Sequence, residues 1–244
     1  MKSEMPVSAL PDYTVRVSPR AKHARLRISP EEGLVVVIPR GFDHRHIPEM
    51  LAARRAWLDK HLHRLHTHRQ YVGDAPPPLP DTIALEAIGE RWSVDYAGTQ
   101  GARAGAFEGE GNRLAVKGAP GDPARCRAAL RRWLSRKAHR HFEPWLHQVS
   151  RQTALPYERM IVRGQKTRWG SCSRHKTISL NYKLLFFPPH LVRYVFVHEL
   201  CHTRVMNHSP RFWQTLGALD PHYRAHHEQM REAWRYVPAW VLAT

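Results

Sequence analysis

An α+β fold is the expectation, and three features of the 244-residue sequence carry it. Short β-branched runs fill much of the first 120 residues. Long apolar-periodic segments at 123–150 and 190–205 have helical spacing. Short strand-like runs at 159–163 and 177–182 lie between those helices. A hydrophobic content of 42% and a charged content of 24% support a buried core and exclude wholesale disorder. The longest apolar runs resemble Leu34 to Ile38, far short of the ~20 residues that a membrane-crossing helix needs.

Taken in order, residues 1–120 read as a β-rich region with one helix, and 121–244 as a second domain. Tyr13 to Pro19 and Ala24 to Pro30 alternate in polarity, and Gly33 to Pro39 is β-branched. Residues 45–68 read as a helix, with Ile47, Leu51, Leu58, Leu62 and Leu65 at helical spacing. Its polar face holds His61, His63, His66 and His68. No carboxylate accompanies them at ligand spacing, so they read as a solvated face. Ala75 to Pro80 is too rich in proline for helix and predicts an extended spacer. Residues 82–89, 91–98 and 112–118 then read as short strands, with a Gly-rich loop over 98–112.

Pro123 suits the first turn of the helix over 123–150. Leu130, Leu134, Ala138, Phe142, Trp145 and Val149 lie along one side. Arg125, Arg132, Arg136 and Arg140 lie on the other, with no acid from 125 to 140. After a Pro188–Pro189 break a helix runs from about His190 to Val205. Ser209 and Pro210 have the residue types of an N-cap and a first helical position, and a last helix is expected over 221–236.

The chain carries 38 Lys plus Arg against 21 Asp plus Glu, a formal charge of +17. Such a balance attracts polyanions or acidic surfaces, and Arg125, Arg132, Arg136 and Arg140 form the best basic patch. A solubilising outer face is the plainer reading of the same pattern. Three cysteines, Cys126, Cys172 and Cys201, are too few for a disulfide framework. The first fifteen residues lack an apolar core of signal length and include Glu4. A reducing cytoplasm is the expected location.

The chemistry concentrates at His198-Glu199-Leu200-Cys201-His202, an H-E-x-x-H on a predicted helix. Positions 198 and 202 differ by only ~40° around a helix, so both imidazoles leave one face and can grip one ion. Neutral imidazoles suit zinc. Glu199 is rotated away, where it can serve a bound water without being a ligand. With 18 His and 13 Glu in the chain, the motif is expected by chance only roughly 0.07 times. His208, six residues after His202, offers a third imidazole. The spacing is that of a metzincin motif, but Val205 stands where that motif has glycine, so the metzincin assignment is not supported. Glu228 or Glu232 in the last helix is the competing third ligand.

Arg168-Trp169-Gly170-Ser171-Cys172 precedes this motif, followed by Ile178-Ser179-Leu180-Asn181 and Pro188. Tyr194-Val195-x-Val197 leads into the histidines, and Asn207-His208-Ser209-x-x-Phe212-Trp213 follows them. This ordered run resembles the YgjP-like metallopeptidase family, which is similar to the SprT and WLM zinc-peptidase domains. It covers about 160–235 closely, and the N-terminal strands ending at Pro39-Arg40-Gly41 extend the likeness. The resemblance implies His198, His202 and His208 as zinc ligands and Glu199 as the catalytic glutamate. Cys201 departs from it, because a small residue such as Ala is usual there.

The expected architecture is therefore an α+β, zincin-like core over 121–244, with a backing helix, an active-site helix and a small sheet. A β-rich region over 1–120 precedes it. The expected activity is zinc-dependent peptide-bond hydrolysis, with one Zn²⁺ per chain and a zinc-bound water activated by Glu199. Trp169, Asn181 and Tyr223 are the candidate substrate-binding residues. Trp169 would turn beside the cleft, Asn181 would lie on a strand that could align a peptide, and Tyr223 with Arg224 could stabilise an oxyanion. Cys172 as a nucleophile is disfavoured, because a thiolate at the metal would block it. Two alternatives stay open: a zinc hydrolase of nucleotide phosphate bonds, and a peptidase associated with nucleic acid or another acidic partner through its basic surface. No membrane association is expected.

Overall fold

The computed structural model describes residues 11–19, 21–29, 33–55, 58–59, 78–98, 104–118 and 121–242. It is a mixed α+β structure that separates into two compact units, Met1–Asp74 and Ala75–Thr244.

In the first unit, β1 (Tyr13–Val17) pairs parallel and β2 (Arg25–Ser29) antiparallel with the central β3 (Gly33–Ile38). Alternation along β3 places Leu34, Val36 and Ile38 in one cluster with Ile47, Leu51 and Leu58. Ile47 and Leu51 stand one turn apart on α1 (Ile47–Ala52), so a period of two meets a period near four. Asp43 starts this segment by accepting a hydrogen bond from Arg45 N at 3.0 Å. Residues 56–57 and 60–68 of the helix expected over 45–68, the four histidines among them, lie outside the described residues.

In the second unit, β4 (Thr82–Leu85), β5 (Glu90–Gly98), β6 (Gly105–Gly109) and β7 (Arg113–Gly118) form a sheet in the order β4-β5-β7-β6. Part of the loop expected over 98–112 is thus a strand. Gly105, Gly109 and Gly111 signal a turn, but pairing with β7 and docking on a helix override that propensity.

That helix is α2 (Pro123–Thr153). Asp122 caps it by accepting from Arg125 N at 3.1 Å, and Ala154 ends it in the left-handed conformation at φ 52°. Arg132 donates to Ala104 O, Arg136 to Ala106 O at 3.1 Å, and Arg140 to Glu108 Oε2 at 3.3 Å. Every fourth residue of a helix rises ~6 Å, and every second residue of a strand ~6.8 Å, so the two rows keep step. Arg132, Arg136 and Arg140, read from the sequence as a solubilising outer face with docking as the alternative, instead clip β6 to α2. This contact also explains why residues 82–118 fall in the same compact unit as the long helix.

The opposite side of α2 packs on α3 (Pro189–Cys201), where Phe142 and Trp145 meet Phe196 with ring centroids 5.5 and 5.1 Å apart. A second small sheet contains β8 (Arg159–Arg163), β9 (Gly170–Cys172) and β10 (Thr177–Asn181) in the order β8-β10-β9. β8 is parallel and β9 antiparallel to β10. Met160, Ile178 and Leu180 of this sheet are buried, as are Leu191, Val195 and Val197 of α3. The chain continues through α4 (Pro210–Leu219) and α5 (Tyr223–Gln229), a 3₁₀ segment over Met230–Tyr236, and α6 (Ala239–Leu242). The helix expected over 221–236 is therefore an α-helical turn pair followed by tighter winding. No described helix is long and apolar enough to cross a membrane.

Candidate metal centre

Helical periodicity aligns Tyr194, His198 and His202 along one face of α3. The helix stops at His202, whose φ and ψ of −66° and −14° still follow the helical path. Thr203 N and Val205 N then bond back to Leu200 O and Cys201 O, closing a compact turn without the glycine of a metzincin motif. Ser209 is extended at ψ 169° and Pro210 opens α4, which brings His208 back over α3. Trp213 Nε1 donates to His208 O at 3.1 Å and holds that return in place.

The result is three imidazoles whose candidate ligand atoms all lie within 4.8 Å of one another. His208 Nε2 and His198 Nε2 are 3.1 Å apart. Phe212, fully buried, backs all three rings, stacking on His202 at 4.6 Å and contacting His198 and His208 at 4.9 and 4.8 Å. Burial pushes His198 down to about 3, with the neighbouring histidines adding to the effect. Burial also holds His202 and His208 below the ordinary imidazole value. All three are therefore neutral near pH 7 and carry lone pairs.

This donor set fits a divalent cation. His202 Nδ1 lies 3.0 Å from Val205 O, so donation to that carbonyl leaves Nε2 as the lone-pair nitrogen. His198 Nδ1 is buried without a partner, and the ring's other nitrogen is the one aimed at His208. Two lone pairs facing each other at 3.1 Å repel unless a proton or a cation lies between them. Glu228 and Glu232, the competing third ligands, are exposed and ion-paired with Arg231 and Arg235. They are not part of the histidine cluster.

A family model, the YgjP-like metallopeptidase domain, matches residues 22–233. The chain belongs to the YgjP-like metallopeptidase family. That membership implies a metal cofactor and polypeptide substrates. No curated protein and no solved structure matches the chain.

Between the two histidines of α3 in this YgjP-like domain lies a glutamate that is almost fully buried, Glu199, 6% exposed. Burial pushes its carboxyl up to about 8, with the positive charge of Arg168 opposing the shift. Gly170 is what admits it. A Cβ at that position would stand 2.6 Å from Glu199 Oε1 and 2.8 Å from Cδ. The glycine of the Arg168–Cys172 segment is therefore required for space.

The remaining expected site residues have other surroundings. Asn181 is 0% exposed. Its Nδ2 donates to Gln165 O and Arg168 O at 2.9 and 3.0 Å, and its Oδ1 accepts from Lys183 N at 3.2 Å. It fixes the loop that presents Gly170. Trp169 is half-buried against Trp234 and Phe187, at 4.1 and 4.7 Å. Tyr223 stacks on Trp213, which stacks on His208, so it reaches the centre only through another ring. Burial pushes the Cys172 thiol up to about 11, Glu199 adding to it, which leaves a thiol and not a nucleophile.

Two features escaped the sequence reading. Tyr194 was named only in the run that leads into the histidines, yet its place one turn before His198 was a legible signal. Its hydroxyl lies 3.0 Å from His227 Nδ1. Nothing local marks His227, whose neighbour His226 pairs through Nδ1 with Asp220 Oδ2 at 2.8 Å.

Proposed function

We propose that the chain is a zinc peptidase with a zincin-like core, in which His198, His202 and His208 hold one Zn²⁺ and Glu199 is the proton carrier. The convergence of three neutral imidazoles within 4.8 Å is the observation that supports the reading most directly. When bound, zinc would supply Lewis acidity toward a water and a scissile carbonyl. Glu199 takes a proton from the attacking water and delivers it to the leaving amine. Its buried setting, which raises the carboxylate's affinity for a proton, makes the first transfer easier than it would be for a solvated glutamate. Burial pushes the Tyr194 phenol well above its usual range, so it remains a donor. With that hydroxyl donating to His227 Nδ1, the imidazole is held as the tautomer whose other nitrogen carries the proton. That N–H is the candidate partner for the carbonyl oxygen as it gains charge. Three free thiols are compatible with a reducing cytoplasm.

The test is a Glu199→Gln variant loaded with zinc and assayed on unfolded polypeptide. The expected result is full zinc content with hydrolysis lowered by at least about a hundredfold. Undiminished hydrolysis would overturn the mechanism. Zinc content unchanged by His208→Ala would overturn the ligand set. Nucleoside triphosphates assayed in parallel distinguish a peptidase from a phosphate-bond hydrolase.

A further inference from the structure

We propose that the outer face of the β8–β10–β9 sheet is a docking groove for an acidic segment of the polypeptide substrate. The inference adds a substrate class to the peptidase reading and rests on it. The groove encloses about 740 Å³ and crosses all three strands and the loop before β9. Strand register sets its lining. Ile161 pairs with Ser179, and Ser179 with Ser171, so these side chains share one face. Met160, Ile178 and Leu180 fill the buried opposite face.

The lining is cationic and hydroxylic. Arg159, Arg163, Lys166 and Arg168 contribute charge, and Thr167, Ser171, Ser173, Thr177 and Ser179 contribute hydroxyls. Some exposed arginines elsewhere pair with local acids, as Arg125 does with Asp122 and Arg231 with Glu228. Among the described residues no acid lines this groove. Guanidinium groups in that position bind carboxylates in pairs of parallel hydrogen bonds.

A second observation points independently to a ligand. Ser179 is 6% exposed, and its Oγ is buried with no hydrogen-bond partner. Gln165 Oε1, also in the lining residues, is buried and unpartnered too. A serine hydroxyl can donate, and an amide oxygen can only accept. A phosphodiester backbone brings acceptors alone and would leave Gln165 unsatisfied. A polypeptide brings carboxylates, carbonyls and N–H groups and can answer both. Among the described residues no aromatic side chain lines the groove to stack bases, which also separates it from single-stranded nucleic-acid platforms.

The groove adjoins the candidate centre through β9. Gly170 turns toward Glu199, while Ser171, next along, turns toward the groove. Arg168 lines the groove and also acts on Glu199. An acidic segment seated here lies one strand's thickness from the carboxylate that would act on the rest of the same chain.

The experiment uses the full-length, zinc-loaded Glu199→Gln protein, which binds without cutting. Three fluorescein-labelled probes are compared by anisotropy: a short Asp/Glu-rich peptide, the same peptide with Asn/Gln, and a single-stranded oligonucleotide of matched charge. The acidic peptide should bind at least about tenfold more tightly than either of the others. Arg159→Glu with Arg163→Glu should weaken it about tenfold or more. Arg91→Glu with Arg113→Glu, an equal charge change on the other sheet of this unit, should leave most of the affinity. Ser179→Ala should weaken binding severalfold with the melting temperature kept or raised, because it removes an unpartnered hydroxyl. Equal binding of the two peptides, tighter binding of the oligonucleotide, or loss shared equally by both double reversals would overturn the groove. Wild-type hydrolysis of a neutral unfolded polypeptide tests the peptidase reading by itself. Hydrolysis without acidic preference overturns only the groove, whereas no hydrolysis of any polypeptide overturns both.

Discussion

Gly170→Ala is the sharpest single perturbation of this architecture. The added methyl carbon would lie 2.6, 2.7 and 2.8 Å from Oε1, Cγ and Cδ of Glu199, where ordinary contact begins at 3.4 Å. Restoring contact to the carboxylate oxygen requires roughly 0.8 Å of movement, the difference between those distances. Glu199 sits on a helix between two fixed histidines and is buried, so the carboxylate swings or β9 lifts. Misplacement of a reacting group by ~1 Å lowers turnover about a hundredfold, and overpacking costs about 1–3 kcal/mol. Zinc-loaded wild type and variant would be compared for hydrolysis of unfolded polypeptide, zinc content and melting temperature. The expected outcome is turnover reduced ~10- to 100-fold, zinc content unchanged and a lower melting temperature. Gly121→Ala is the control, since a Cβ there meets nothing within 4 Å. Full turnover and unchanged melting in Gly170→Ala would refute the claim that this glycine makes room for the carboxylate.

Three further outcomes follow from the same geometry. Chelation should lower the melting temperature and zinc should restore it, because an ion at a hundred times its Kd adds about 2.7 kcal/mol. His202→Ala should abolish that response in a calorimetric scan. Lys183 is 6% exposed, with its ammonium on Gln165 O at 3.2 Å and over the Trp234 ring, and burial pushes it down to about 8 from 10.5. Between those values the unfolded chain binds the extra proton, so stability should rise with pH from about 8 to 10.5, by about 3 kcal/mol. Lys183→Met should flatten that rise in urea titrations, and an unchanged slope would count against the buried ammonium. Arg132→Ala and Arg136→Ala should each cost about 1 kcal/mol in denaturant unfolding by loosening β6. Neither should alter oligonucleotide affinity, and a large loss would restore the docking face to α2.

What was legible in the sequence was whatever helical geometry dictates locally. His198 and His202 must share a face at i and i+4, and Tyr194, one turn earlier, belongs to the same stripe. His208 was legible as a spacing, but its return depends on a turn closed by Thr203 and Val205 and on Trp213 reaching back to its carbonyl. Contacts across long separations were not legible. Arg132, Arg136 and Arg140 look the same in sequence whether they face water or a strand 28 to 32 residues earlier. Asn181 looked like a residue for substrate, yet its amide is committed to two carbonyls of a preceding loop. The strand β6 was obscured by its glycines, since small residues weaken a strand's local signal while suiting close docking on a helix.

The two halves of the signature, Arg168–Cys172 and His198–His202, are physically one unit, and Asn181 shows why. A glutamate buried beside two imidazoles needs a neighbour with no side chain and a nearby positive charge, and Gly170 and Arg168 supply these. Neither would be in place without restraint, because residues 164–169 form no helix or strand of their own. Asn181 N donates to Trp169 O at 2.9 Å and its side chain holds the carbonyls of Gln165 and Arg168. Trp169 meanwhile wedges against Trp234. Leu180, one residue earlier on β10, pairs with Gly170 itself. The position of the glycine is thus fixed from β10 by both backbone register and side chain. An arrangement that keeps the histidines and loses Asn181 would retain the cluster of imidazoles while releasing the loop that accommodates Glu199, so under the proposed mechanism metal affinity and proton transfer would be lost separately.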